Sequence, residues 1–126
     1  MRNLMKITVN NSVSAEISEI SAIKAEIKKV LGRRKLKDEI IVNLIGDGLM
    51  KKLNLKFRKK DKTTDVLSFN LNESGILGEI YISYPKAKKQ AKEYYVSMKD
   101  ELRRLSGHGT LHLLGYTHKE MGKYGS

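Results

Sequence analysis

An α+β domain, with helices packed on a sheet of about four strands, is the fold class this sequence predicts. Three observations carry the prediction. Short apolar runs with strand character recur at 5–10, 39–45, 65–70 and 79–83. Segments with apolar residues three and four apart separate them in the order strand, helix, strand, helix, strand, strand, helix, helix. The chain has 126 residues with no internal repeat or linker, enough for a single core, so one domain over residues 1–126 is expected.

Taken in order, Met5 to Asn10 alternates, with Ile7 and Val9 on one face of a first strand. Ser14 is the expected cap of a helix whose core stripe is Ile17, Ile20, Ile23, Ile27 and Val30 or Leu31, ended by Gly32. Arg33 to Lys37 is a basic connection. Ile40, Ile41, Val42, Leu44 and Ile45 form the near-continuous apolar run of a buried interior strand. Asp47 is the expected cap of a helix reaching about Phe57, with Met50, Leu53 and Phe57 inward. Arg58 to Lys62 is a positively charged loop.

Asp65 to Asn70 reads as a strand, with Val66 and Ser68 on one face and Leu67 and Phe69 on the other. A polar loop is expected over Leu71 to Leu77, then a strand from Glu79 to Ser83. Pro85 marks a helix start, where its missing N–H costs nothing. Ala87, Ala91 and Tyr94 or Tyr95 supply that helix's inward face. Ser97 with Asp100 resembles a capping box for a last helix from about Met98 to Leu114, buried through Met98, Leu102, Leu105, Leu111 and Leu114.

The protein's three histidines all fall in one stretch, His108-Gly109-Thr110-Leu111-His112-Leu113-Leu114-Gly115-Tyr116-Thr117-His118. His108 and His112 share one helical face, one turn apart. Gly115 suits a left-handed helix end, from which the chain turns back and carries His118 toward the same point. A lone histidine is more often a surface or core residue. Three around a glycine, with none elsewhere, predict a tripodal metal site with an open position, as in catalytic zinc. The spacing matches the metzincin frame H-E-x-x-H-x-x-G-x-x-H, but Gly109 stands where those proteases carry their general base, which points to a metal hydrolase of another kind.

The same string resembles the signature H-G-x-L-H-L-x-G-Y-D-H of the YbeY family, bacterial metal-dependent endoribonucleases of ribosomal RNA maturation. Residues Phe57 to Phe69 are similar to the family's R-x-K-D-K-P-T-D-V-L-S-F segment, with Lys59, Lys60 and Thr63 as local variation. Leu77 to Ser83 more loosely resembles its L-G-D-I-x-I-S strand. The resemblance implies a zincin-like α+β fold: a mixed, mostly parallel sheet with the histidine helix near its centre. Thr117 departs from the signature's aspartate.

The expected cofactor is one zinc ion on His108, His112 and His118, although other divalent transition metals also accept three imidazoles. Zinc brings the pKa of its water to about 7, so a hydrolase of this kind does not need the protease glutamate. Arg58 is the candidate for gripping a phosphate during catalysis, because a guanidinium stays charged and donates in pairs, and the resemblance points to the same residue. Lys60 and Lys62 are candidate phosphate contacts, with solvated surface lysines as the simpler reading. Ser68 and Thr64 either bond substrate or serve their strand. Glu79 is equally readable as an acceptor for a histidine N–H or as a surface carboxylate.

A formal charge of +11 points to an anionic partner, and with a hydrolytic metal site to RNA: ribosomal RNA, the ribosome or its subunits. With no cysteine there is neither a disulfide framework nor a thiolate site. No apolar run is long enough for a membrane helix, and the first residues lack a signal core, so no membrane partner and a cytoplasmic location are expected. The leading expectation is a single-strand-directed endoribonuclease. The alternatives are a ribosome-associated RNA-binding assembly factor with a structural metal, or a metal hydrolase of another phosphoester.

Overall fold

The computed structural model describes residues 6–32, 38–73 and 75–116. Their elements are β1 (Ile7–Asn11), α1 (Ile17–Leu31), β2 (Glu39–Ile45), α2 (Asp47–Arg58), β3 (Val66–Glu73), β4 (Ile76–Ser83), α3 (Tyr84–Glu93) and α4 (Met98–Leu113). The strands form one sheet in the order β1-β2-β4-β3, with β1, β2 and β4 parallel and β3 antiparallel to β4. The expected mixed, mostly parallel α+β sheet is what forms. The apolar run of β2 lies inside it, with Val42 between Val9 of β1 and Ile80 of β4.

Period-2 alternation divides the sheet's two faces. One face carries the main core: Ile40, Val42, Leu44, Ile80 and Ile82 pack with Ile23 and Ile27 of α1, Ala87 of α3 and Leu102, Leu105 and Leu113 of α4. The other face carries a smaller cluster of Ile45, Met50 and Leu67, with Leu53, Phe69 and Tyr81 partly buried against it, under α2. Helix α4 contacts α1, α3, β3 and β4, which makes it the central helix of the larger layer.

Several local expectations are corrected. Ser14 does not cap α1: it has a positive φ, Glu16 is the cap residue, and the Glu19 carboxylate accepts from the Glu16 N–H. Ile17 is 83 % exposed, whereas Glu19 in the same first turn is buried and accepts from the Tyr84 hydroxyl at 2.7 Å. Burial and the carboxylate together push that hydroxyl's pKa up to about 12. Gly46, not Asp47, caps α2, because the Asp47 carboxylate is taken by the hydroxyls of Thr63 and Ser83. Strands β3 and β4 extend through most of the expected 71–77 loop. Tyr94 and Tyr95 are exposed, because α3 ends at Glu93 and its helical register no longer applies to them. In α4, Leu113 is buried in the core while Leu111 is only half-buried. Ser97 caps α4 as expected, accepting from the Asp100 N–H at 3.0 Å.

Candidate metal centre and nucleic-acid cleft

Strand β3 and α4 run side by side in the same direction, and their side chains stitch them together. The Ser68 hydroxyl donates to the Gly109 carbonyl at 3.3 Å, and the Asn70 amide donates to the Leu113 carbonyl at 2.7 Å. Two residues of strand advance about 7 Å and four of helix about 6 Å, so the two contacts keep step. The Leu113 carbonyl is among the last four of its helix, which have no partner further along it, and Asn70 supplies one.

Glycine makes this approach possible. A Cβ on Gly109 would stand 2.8 Å from Ile80 Cγ2 and 3.0 Å from the Ser68 hydroxyl. A Cβ on Gly78 of β4 would stand 2.5 Å from both Leu113 Cδ2 and the Phe69 carbonyl. The glycine beside His108 is therefore a packing requirement of the helix on the sheet. After α4, Gly115 takes φ +95°, with its N–H on the His112 carbonyl and the Tyr116 N–H on that of Leu111. This is the expected left-handed stop.

The stitched edge forms part of a cleft of about 670 Å³, whose lining includes His108, His112, Arg58 and Ser68. The two imidazole centroids are 4.9 Å apart and the rings are tilted by 51°. His108 is 6 % exposed, so its ring is fixed by packing. Two neighbouring imidazoles on one rigid helical face, open to a cleft, are a donor set that suits a transition metal. Among the described residues no third histidine, cysteine or carboxylate joins them in a group that could hold an ion. His118, the expected third ligand, and Thr117 lie outside the described residues.

Arg58 ends α2 and lines the cleft, whereas Lys60 and Lys62 are exposed on the following loop and are not part of the lining. The Lys62 carbonyl accepts from the buried Asn54 amide at 2.7 Å, which anchors that loop to α2. Thr64 lines the cleft beside Asp65. Glu79 is on the opposite face: Gly78 and Ile80 turn toward α4, while Glu79 accepts from Tyr81, so it does not serve as an acceptor for a histidine here.

Arg104 and Tyr94 also line the cleft, with Glu101 and Gln90 behind the arginine, and the sequence suggested a site role for none of the four. The Arg104 guanidinium donates to both carboxylate oxygens of Glu101, at 3.1 and 2.6 Å, and stands 3.8 Å from Asp65. Glu101, 1 % exposed, also accepts from Gln90 of α3 at 2.7 Å. The Glu101 hydrogen bonds hold the arginine's pKa above its usual value against the opposing effect of burial. Tyr94 lines the cleft with Arg104 against its ring. A signal for Arg104 was present, since it precedes His108 by four residues and so shares its face. Helical spacing marked Tyr94 only as a candidate inward residue of α3, and because α3 ends at Glu93 the ring is exposed at the cleft instead.

Comparison with known proteins is decisive at the level of family. The family model described as Endoribonuclease YbeY matches residues 5–124. The chain belongs to the YbeY family. An Endoribonuclease YbeY of Persephonella marina is 38 % identical over 125 residues, covering 94 % of this chain and 82 % of that protein. One from Malacoplasma penetrans is 43 % identical over 109 residues, covering 81 % and 73 %. The solution structure of TM1509 from Thermotoga maritima superposes with a TM-score of 0.64 at 26 % identity, covering 96 % of this chain and 86 % of that one. The α4–β3 cleft is thus a feature of a YbeY-family fold.

Proposed function

We propose that this protein is a metal-dependent endoribonuclease that cuts single-stranded segments of RNA and acts in ribosomal RNA maturation and ribosome quality control in the cytoplasm. The observation that carries the reading is one cleft that joins a rigid imidazole pair to the Arg58 guanidinium. Membership of a family whose relatives are named Endoribonuclease YbeY supports RNA as the substrate.

His108, His112 and His118 would hold a zinc ion, which when bound supplies a Lewis acid and an acidified water at the cleft. The chain's own groups do the rest. Arg58 offers paired donors to non-bridging phosphate oxygens and neutralises charge as it develops at phosphorus. Lys60 and Lys62 draw the anionic strand toward the cleft from the rim. Ser68 holds the height of α4 through Gly109 and so positions the imidazoles relative to Arg58. The buried Glu101 fixes Arg104 as a second cation on the cleft wall.

The test is elemental analysis of the purified protein, combined with cleavage of a single-stranded RNA before chelation, after chelation and after zinc return. About one metal per chain, with cleavage lost and then restored, is expected. His108→Ala and His112→Ala should each abolish metal retention and cleavage. Wild-type cleavage by both variants would end the metal-nuclease reading. Salt-sensitive RNA binding with no turnover, and a large loss of thermal stability on chelation, would instead identify an assembly factor with a structural metal, and Thr117→Asp would then be the first change to make.

A further inference from the structure

Tyr94 is placed unlike an incidental surface tyrosine. It is the C-cap of α3, with its N–H on the Gln90 and Lys92 carbonyls, so its backbone is fixed. The Arg104 guanidinium carbon lies 5.8 Å from the ring centroid. That arginine is itself held by the buried Glu101, which Gln90 ties back to α3. The ring is therefore backed by an immobilised cation, lines the cleft, and remains 56 % exposed. Its neighbour Tyr95 is 95 % exposed and is not part of the cleft lining.

We propose that Tyr94, backed by Arg104, is a stacking subsite for one unpaired nucleobase of the substrate strand. The proposal rests on the RNA-cleavage reading above and extends it to how single strands are selected. Every base presents a π-face, so an aromatic platform accepts bases with little regard to sequence, and a cation behind the ring adds to the attraction. Bases within a duplex are stacked on each other and cannot be laid on a side chain, whereas splayed bases of single-stranded RNA can. Arg104 stands one helical turn before His108, about 6 Å along α4, so the platform and the imidazoles lie on one wall of the cleft. A base seated on Tyr94 would fix the register of the strand relative to the histidines.

The protein has no tryptophan, which gives a direct test. Tyr94→Trp and Tyr95→Trp each introduce a single tryptophan, whose emission is excited selectively over that of the remaining tyrosines. Each variant is titrated with a short single-stranded RNA carrying an anisotropy label, and cleavage is followed in parallel. Saturable quenching in Tyr94→Trp, in step with the anisotropy, and none in Tyr95→Trp, is the expected result. Tyr94→Ala should weaken binding of that RNA by about 5- to 150-fold, Tyr94→Phe should restore it, and binding to a blunt duplex should be the same for all three. Wild-type RNA should also lose affinity when one particular nucleotide is made abasic, and the Tyr94→Ala variant should be insensitive to that change. RNA binding without quenching in Tyr94→Trp, or wild-type affinity in Tyr94→Ala, overturns the subsite even if cleavage persists. Quenching with no cleavage retains the subsite and overturns the nuclease reading. Absence of any RNA binding by the wild type overturns both.

Discussion

On the α4 side of the cleft, side chains are held from several directions. His108 is buried, Gly109 lies against Ile80 and Ser68, and Arg104 is clamped by a buried carboxylate. On the α2 side, Arg58, Lys59, Lys60 and Lys62 are all exposed, at a helix end and in the loop beyond it. The first side has the precision that metal ligation demands, since an ion accepts its donors only at fixed distances and directions. The second needs only positive potential within reach of a phosphate chain, and a helix C-terminus favours cations there. Geometry and charge are thus built into different walls, and substitutions should separate them.

The largest effects are expected where the helix meets the sheet. Gly78→Ala forces a methyl against Leu113 and against the Phe69 carbonyl, and the carbonyl can retreat only if β3 moves. Gly109→Ala presses on Ile80 and Ser68. Overpacking of this kind costs about 1–3 kcal/mol, which denaturant unfolding would read directly. Both variants should also bind metal more weakly, because α4 is lifted from β3. Wild-type midpoints for both would mean that the α4 wall has slack, and the contrast between the walls would fail.

Arg58→Glu should lower RNA cleavage by at least about tenfold, the equivalent of one lost charge-assisted contact, while leaving the unfolding midpoint within about 0.5 kcal/mol of wild type and the metal in place. A loss of stability or metal would show that this wall, too, is structural. Smaller effects are expected from Lys59→Ala, Lys60→Ala and Lys62→Ala taken singly. Each should reduce the salt dependence of RNA binding by up to about one unit of slope, with modest loss of affinity. A single lysine whose loss abolishes binding would place a specific contact where the structure shows only an exposed rim.

The α4 wall was also the more legible in the sequence. Strand β2, the Ser97 cap, the stop at Gly115 and the shared face of His108 and His112 all follow from local spacing, because one element alone determines them. What was misread depends on a second element. Ile17 fits the helical stripe of α1, yet the core does not extend to it, and Glu19 is buried because Tyr84 offers a hydroxyl. Asp47 has the right residue type for a cap, but Thr63 and Ser83 bring it hydroxyls from distant positions. Glu79 was left open between a histidine acceptor and a surface carboxylate, and the packing of α4 on the face of Gly78 and Ile80 decides for the second. Arg104 and Tyr94 meet because α3 turns back onto α4, and no periodicity within either helix encodes that contact.

Asp47 offers the mildest test, because it supports the charged wall without belonging to it. Its carboxylate accepts from Thr63, in the loop after Arg58, at 2.5 Å and from Ser83, at the end of β4, at 2.8 Å. The Thr63 hydrogen bond is the chief cause of a pKa held below the ordinary aspartate value, with Ser83, Lys86 and Lys89 adding to it and burial opposing it. A carboxylate whose pKa is lower folded than unfolded contributes stability that is fully present above about pH 4 and is lost as pH falls through the folded value. Asp47→Asn should therefore be less stable than wild type at neutral pH, by about 0.5–1.5 kcal/mol, and the two should converge in acid. Urea unfolding at a series of pH values would check this. No difference at any pH would mean that the hydroxyls bind the asparagine as well as the carboxylate, and a difference that stays constant down through the titration would mean that the loss does not come from ionisation; either result leaves the charge of Asp47 with no part in anchoring the loop that carries Lys60 and Lys62.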